Sequence, residues 1–210
     1  RETLAAAILL WAGYRPGRPL VDPLCGGGTF SMEAALMALS IPPGRQRAFA
    51  FEGWPSFRPN HWQHLRREAH ASTPVTTTAP QILASDREAA VCQALQAQLN
   101  RTGLEGVVSV TCVDFERLTP EGLPSSPTRG LVVINPPYGI RLANRAEARR
   151  LIVALGRHLN AHWGGWRVAV LLPDKQLARH FGRPLSLRPL KHGGLSLTLM
   201  IGDLPPKPSP

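Results

Sequence analysis

The sequence contains few cysteines and no long run of apolar residues. Only three of its 210 residues are cysteine, Cys25, Cys92 and Cys112, and they stand far apart. An odd number of widely spaced thiols without a CxxC pair excludes a disulfide framework and indicates no zinc site. No apolar stretch reaches the length of about 18 residues that a membrane-spanning helix needs, and none has the pattern of a signal peptide. These absences predict a cytoplasmic protein with reduced thiols and no bound metal.

Acidic residues are also scarce. The chain has 14 Asp and Glu against 24 Lys and Arg, which gives a formal net charge of +10. Such an excess favours a polyanionic partner and accelerates the encounter with it, so a nucleic acid fits this composition better than a small substrate does. The paired arginines are Arg15 and Arg18, Arg45 and Arg47, Arg66 and Arg67, Arg141 and Arg145, and Arg149 and Arg150. Each pair taken alone is more typical of a solvated surface.

The most informative motif is Asn135-Pro136-Pro137-Tyr138, which follows the apolar run Leu131-Val132-Val133-Ile134. A short buried strand that ends in this way presents an amide oxygen, a carbonyl oxygen and an aromatic face. Two acceptors and a stacking surface suit the exocyclic amine of a flat base. Accepting both of its hydrogens turns the delocalised lone pair toward an electrophile. The plainer interpretation is a strand that ends at proline and continues into a turn.

A second motif is the glycine-rich segment Asp22-Pro23-Leu24-Cys25-Gly26-Gly27-Gly28-Thr29, which joins a short apolar strand to the helical pattern Phe30 to Leu39. This order brings a ligand to the backbone N–H groups of a helix N-terminus. The glycine spacing disfavours a dinucleotide, and Asp22 would repel a phosphate but attract a cationic group. These properties suit S-adenosylmethionine, which carries an ammonium and a sulfonium. A glycine turn alone is more often only a tight connection.

Two further predicted strands end in aspartate, at Asp86 and at Asp114, and Phe115 follows the second. A carboxylate beyond a strand's carboxyl end accepts hydrogen bonds from ribose hydroxyls, and one beside an aromatic ring accepts from an adenine amine. The alternative role of each aspartate is to cap a following helix or turn. Three carboxylates on three successive strand ends favour a shared ligand.

Together these motifs resemble those of the class I S-adenosylmethionine-dependent RNA methyltransferases of the THUMP-associated group. Within that group the chain is most similar to the bacterial 23S ribosomal RNA guanine-N2 methyltransferases. The likeness includes Glu2-Thr3-Leu4-Ala5-Ala6-Ala7 at the start and the segments 51–54, 164–166 and 193–195, so it covers most of the chain. It implies methyl transfer from S-adenosyl-L-methionine to the N2 amine of a guanine in ribosomal RNA.

The resemblance also implies roles for individual residues. The cofactor-binding set is Glu2, Asp22, Cys25, Gly26, Gly28, Thr29, Asp86, Arg87, Asp114, Phe115 and Asn135. Asp22, Gly26 and Gly28 would line the methionine part. Asp86 would contact the ribose, and Asp114 with Phe115 the adenine. At Arg87 the sequence departs from the family, where an apolar residue commonly packs on the adenine.

For the target base, the resemblance implies a catalytic group of Asn135, Pro136, Pro137 and Tyr138. The Asn135 side chain and the Pro136 carbonyl would accept from the amine, and Tyr138 would stack on the ring. Among the paired arginines, Arg141 and Arg145 directly follow this loop and are the preferred RNA contacts. No metal ligand is implied.

The alternation of strands and helices predicts an α/β fold with a mainly parallel sheet and helices on both faces. The resemblance to class I enzymes adds seven strands and an antiparallel last strand. A single methyltransferase domain is expected over residues 1–204, with an insertion or loop at 53–80 and a flexible tail at 205–210. An RNA-binding domain is expected upstream, outside this sequence.

Two alternatives stay open at this point. The amine-binding tetrapeptide also occurs in methyltransferases that act on adenine, on cytosine or on a protein glutamine. The basic composition counts against the protein substrate. The other alternative is a non-catalytic RNA-binding module of the same fold, although a degenerate pocket would not need both the glycine turn and the tetrapeptide.

Overall fold

The computed structural model describes residues 2–44, 47–71, 81–123, 127, 129–136 and 145–206. In this part the strands are β1 (Leu20–Asp22), β2 (Ile82–Asp86), β3 (Val108–Cys112), β4 (Leu131–Ile134), β5 (Arg167–Leu172), β6 (Ser186–His192) and β7 (Leu195–Asp203). The helices are α1 (Glu2–Trp11), α2 (Thr29–Ala38), α3 (Pro59–Ala71), α4 (Ala89–Thr102) and α5 (Arg145–His162). Four short 3-10 helices complete the secondary structure of these residues: Ala50–Gly53, Phe115–Arg117, Pro120–Gly122 and Lys175–Phe181.

The strands form one sheet in the order β3-β2-β1-β4-β5-β7-β6. Strands β1 to β5 run parallel to one another, and β7 runs antiparallel between β5 and β6. The predicted mainly parallel sheet with an antiparallel last strand is therefore confirmed. The chain changes direction across the sheet between β1 and β4, and ligands of open α/β sheets bind outside the carboxyl ends of the strands at such a switch point.

Helices cover both faces of the sheet, as expected for strands that are apolar on both sides. Helices α1, α2 and α4 pack on one face, where Ile8, Ala34 and Leu95 belong to one continuous core. Helix α5 packs on the other face, where Ile152 and Leu159 belong to a second core that also contains Trp163, Trp166 and Phe181. Strand β4 lies between these two layers and is buried along its whole length.

The segment predicted as an insertion or loop at 53–80 contains a helix, α3. An aromatic cluster lies at the base of α3: the ring centroids of Phe51 and Trp62 are 5.1 Å apart, and those of Phe49 and Phe51 are 5.3 Å apart. Residues 72–80 of this segment, and residues 207–210 of the predicted tail, lie outside the described residues.

Within the described part of the chain, no helix is long and apolar enough to cross a membrane. The same residues contain no cluster of three or more His, Cys, Asp or Glu side chains that a metal ion would need.

Candidate active site

Three of the polar residues singled out in the sequence follow neighbouring strands at one edge of the sheet. Asp22 ends β1, Asp86 ends β2 and Asn135 comes directly after β4. The registers place Asp22 opposite Ala84 of β2 and Val21 opposite Val132 of β4, so these strand ends lie side by side. Because all three strands are parallel, their carboxyl ends meet at the same edge.

Asp22 is a buried carboxyl group with only part of its hydrogen-bonding capacity used. The Ser31 hydroxyl donates to Asp22 Oδ2 over 3.0 Å, whereas Asp22 Oδ1 is buried without a hydrogen-bond partner. Burial raises the pKa of Asp22 to about 7, hydrogen bonds from Ser31 oppose this, and the charge of Asp86 adds to it. A buried acceptor that lacks a donor is costly unless a ligand supplies one. This arrangement fits the ammonium group of S-adenosylmethionine.

The glycine loop is fastened to the end of β2. The Cys25 N–H donates to the Ser85 carbonyl over 2.9 Å, and the Gly26 N–H donates to Asp86 Oδ2 over 3.2 Å. A Cβ atom added at Gly26 or Gly27 would meet no atom within 4 Å, so the outer side of this loop is open to a ligand.

The third glycine of the loop has a different task. Gly28 has a φ of +72°, and a Cβ atom added to it would collide with the side chain of Leu95 in α4. The left-handed backbone and the close approach both require glycine here. Gly28 therefore lets the start of α2, at Thr29, pack against α4, and its predicted cofactor contact stays a prediction.

Asp86 and Asp114 both accept hydrogen bonds from backbone N–H groups two residues further along the chain, and Asp114 thereby caps the 3-10 helix Phe115–Arg117. Asp86 Oδ1 accepts from the Glu88 N–H over 3.1 Å, and Asp114 Oδ1 accepts from the Glu116 N–H over 3.0 Å. The Ser85 hydroxyl donates to the Val113 carbonyl over 2.7 Å and so joins the two strand ends that carry these aspartates. Both oxygens of Asp86 thus accept from a backbone N–H, since the Gly26 N–H bonds to Oδ2. The predicted ribose and adenine contacts of Asp86 and Asp114 remain predictions.

Three further predicted cofactor residues are Phe115, Arg87 and Glu2. Phe115 is 9% exposed and its ring stands edge-on to His158 at 5.9 Å, so most of the ring belongs to the core under α5. Arg87 is exposed beside β3. Glu2 is exposed in the first turn of α1, and its charge adds to the burial that raises the pKa of Glu33 in α2.

The described part of the amine-binding motif consists of Asn135 and Pro136. Asn135 is exposed at the end of β4, and Pro136 is buried. Pro137, Tyr138 and Arg141 lie outside the described residues. Arg145 is the exposed first residue of α5, and its Nη2 atom lies 3.9 Å from Asp174 Oδ2.

Ser31, which fixes the orientation of the Asp22 carboxyl, was missed by the reasoning from motifs. Ser31 is fully buried in the first turn of α2. Its signal was available, because a hydroxyl beside Phe30 and Met32 in a mainly apolar helix has to find a hydrogen-bond partner if it is buried. Leu95 beneath Gly28 had no such signal, since nothing local links it to the glycine loop.

Comparison with known proteins identifies the family. A family model described as "RMKL-like, methyltransferase domain" matches residues 1–200. The chain belongs to this family. Its relatives include the ribosomal RNA large subunit methyltransferases K/L of Chromohalobacter salexigens, 37% identical over 96% of the chain, and of Marinobacter nauticus, 38% identical over 99%. The chain spans 28% and 29% of those two proteins.

A solved structure extends the comparison to the fold. SMU.472, a protein assigned to the methyltransferases and complexed with SAH, is 28% identical with a TM-score of 0.85. The match covers 100% of this chain and 53% of that one. The predicted resemblance to class I methyltransferases, the fold and the cofactor S-adenosyl-L-methionine are thereby confirmed for this RMKL-like domain at the level of the family.

Proposed function

We propose that this chain is the catalytic domain of an enzyme that transfers a methyl group from S-adenosyl-L-methionine to the N2 amine of a guanine in large-subunit ribosomal RNA. The observation that carries the proposal is that β1, which ends at Asp22, pairs in parallel with β4, which Asn135 directly follows. This pairing brings the glycine loop that we propose for the cofactor beside the motif that we propose for the amine, at the point where the chain changes direction across the sheet. The K/L relatives, whose names state large-subunit ribosomal RNA, support the substrate class.

In the proposed complex the free Oδ1 atom of Asp22 accepts from the cofactor's ammonium group. The methionine part of the cofactor lies along the open outer side of Gly26 and Gly27. Asp86, already fixed by the Gly26 N–H, accepts from the ribose, and Asp114 with the exposed edge of Phe115 borders the adenine. The flanking contacts assigned to Glu2, Cys25, Thr29 and Arg87 belong to the same proposal.

The bound cofactor supplies a methyl group that is already activated by the positive sulfur. The protein has to align the guanine amine with it and exclude water. The Asn135 side-chain oxygen and the Pro136 carbonyl accept the two amine hydrogens, and Tyr138 stacks on the base. Burial raises the pKa of the Cys25 thiol, and the charges of Asp22 and Asp86 add to this effect. This thiol stays protonated, and the proposed reaction needs no covalent nucleophile.

The decisive experiment compares Asn135→Ala with the native chain on unmodified ribosomal RNA and labelled cofactor. We expect cofactor affinity to stay within twofold while methyl transfer falls at least tenfold, or about 1.4 kcal/mol of transition-state stabilisation. Asn100→Ala is the matched control, because Asn100 is exposed near the end of α4 and far along the chain from the motif.

Mass spectrometry of the modified RNA identifies the product. N2-methylguanine would support the proposal. Methyladenine or methylcytosine would show instead that the target is the amine of another base. Full activity of Asn135→Ala would show that the amine is held elsewhere. Cofactor binding without any methyl transfer, on RNA or on a protein glutamine, by residues 1–210 and also by a longer protein that contains an RNA-reading domain would point to the non-catalytic module.

A further inference from the structure

A basic groove runs along the outer face of α5, beginning near the candidate site and continuing to the 3-10 helix Lys175–Phe181. It consists of two connected cavities of about 650 and 410 Å³, which share Val153 and Arg157. The basic groups that line them are Arg145, Arg149, Arg150, Arg157, His180 and Arg183. From Arg145 to Arg157 the helix rises about 18 Å, which exceeds the length of a single ion site.

The floor of the groove is rigid because α5 and the 3-10 helix touch at backbone distance. A Cβ atom added at Gly156 would collide with the carbonyl group of Phe181, so only glycine permits this approach. The Asn160 amide donates to the carbonyl oxygens of Gly156 and Phe181, over 2.7 and 3.2 Å. Phe181 itself is fully buried. The side chains on either side of this junction are therefore held at a fixed separation.

The charges in the groove are only partly compensated. Arg145 lies 3.9 Å from Asp174, and Arg157 lies 3.6 Å from Glu116, both as exposed pairs. Among the described residues, Arg149, Arg150 and Arg183 have no carboxylate within ion-pair distance. The pKa of His180 is lowered, first by its partial burial and then by the positive charges of Arg149 and Arg179. Arg149 of α5 therefore lies close enough to His180 on the 3-10 helix to disfavour the protonation of that imidazole.

A row of exposed arginines that lack carboxylate partners in the described part of the chain favours an anionic ligand. The junction of Gly156 with Phe181 fixes the separation of α5 from the 3-10 helix, and the arginine side chains of α5 above it are exposed to solvent. An extended row of positive groups matches a chain of phosphates better than a single carboxylate, because each arginine can bind a successive phosphate.

We propose that this groove binds the sugar–phosphate backbone of the RNA strand that flanks the target base. The inference rests on the proposed function, since it assumes an RNA substrate. It extends that function by stating where the RNA strand binds on the surface of the protein. The groove begins at Arg145, whose helix follows the amine-binding loop in the chain, and leads away along α5 to Arg183. Contacts with phosphates fix the strand's position without reading its sequence.

The test uses the chain of residues 1–210 and a fluorescent single-stranded RNA oligonucleotide, with affinity measured by anisotropy over a range of salt concentrations. The double variant Arg149→Gln with Arg183→Gln removes one charge from each wall. The matched control, Arg101→Gln with Arg129→Gln, removes two exposed charges at the other end of the sheet, where α4 ends and β4 begins. Titration with S-adenosyl-L-methionine and a thermal melt verify that each variant is folded.

We expect the groove variant to bind RNA at least tenfold more weakly than the control at low salt. Its slope of log affinity against log salt should be shallower by about 0.7 for each phosphate that the groove no longer neutralises. Cofactor affinity should be unchanged in both variants. If Arg149→Gln with Arg183→Gln fails to fold, Arg150→Gln with Arg183→Gln provides the same comparison.

Three outcomes would contradict the proposal, and each of them has a different meaning. Equal losses of affinity in the groove and control variants would overturn the groove and leave the RNA substrate intact. If the native chain bound no RNA at low salt, the RNA assignment under the proposed function would fail as well. Competition by poly-glutamate as strong as that by RNA of equal charge would overturn the proposal and assign the groove to an acidic protein.

Discussion

Function and stability oppose each other at Asp22. The carboxyl group is 1% exposed, and burial raises its pKa to about 7, so its ionised form is held at a cost to the folded state. At about 1.4 kcal/mol per pKa unit, the rise from 3.8 sets an upper limit of roughly 4 kcal/mol. The same unpaired charge is what would attract the cofactor's ammonium group.

We predict that Asp22→Asn stabilises the chain at pH 8 and weakens cofactor binding at least tenfold. The sign follows from the raised pKa: the folded chain binds the proton more tightly than the unfolded chain, so native stability falls as pH rises from about 4 to about 7. An asparagine side chain does not titrate, so the variant does not lose stability over this pH range. Thermal melts at pH 5 and pH 8 and calorimetric titration with the cofactor measure both effects.

The pH dependence provides an internal check. Cofactor affinity of the native chain should fall as pH drops below about 7, because the Asp22 proton has to leave before the ammonium group is bound. In this range the cofactor's α-amino group, with a pKa near ~8, stays charged. Asp22→Asn should remove this dependence, and Glu105→Gln, an exposed carboxylate change, should keep it. If Asp22→Asn left both the cofactor affinity and its pH dependence unchanged, Asp22 would not be the residue that binds the cofactor's ammonium group.

At the scale of elements, the junction of the glycine loop with α2 depends on α4. Gly28→Ala should destabilise the chain by about 1–3 kcal/mol, because alanine is strained at a φ of +72° and its methyl group collides with Leu95. Denaturant unfolding measures the loss. Gly27→Ala is the matched control, since its Cβ atom meets nothing within 4 Å.

A second substitution separates the two causes. Leu95→Ala in the Gly28→Ala background should relieve the collision but leave the backbone strain. The cost of the double variant should then be smaller than the sum of the two single costs. Strict additivity would show that Leu95 does not contact the helix start. These comparisons concern folding only, so the contact of Gly27 with the cofactor does not enter them.

At the scale of the whole molecule, the chain spans between 28% and 52% of the length of its curated relatives. We predict that residues 1–210 bind S-adenosyl-L-methionine but methylate ribosomal RNA poorly, and that a longer protein containing an RNA-reading domain methylates a single guanine. Phosphate contacts supply affinity without sequence preference, so selection of one nucleotide needs further contacts. Site-specific methylation by residues 1–210 alone, mapped by mass spectrometry, would contradict the prediction.

Features that depend on short stretches of the chain could be predicted from the amino-acid order alone. Strand β4 (Leu131–Ile134) was predicted with its observed bounds, because a run of only four apolar residues, three of them β-branched, that stops at Asn-Pro-Pro favours a buried strand over a helix. The alternation of strands and helices established the class of fold, and the carboxyl-end position of Asp22, Asp86 and Asn135 followed from it. The carboxyl ends of parallel strands lie at the same edge of a sheet, whatever the length and conformation of the connecting loops.

Features that join distant segments came only from the folded chain. The Ser31 hydroxyl on Asp22, Leu95 beneath Gly28 and the junction of Gly156 with Phe181 each depend on how two elements approach one another. The aromatic cluster at the base of α3 likewise joins Trp62 within the helix to Phe49 and Phe51 outside it. Periodicity records which face of an element is apolar, but it does not record which partner covers that face or how closely. Those distances are set by the packing of the whole chain.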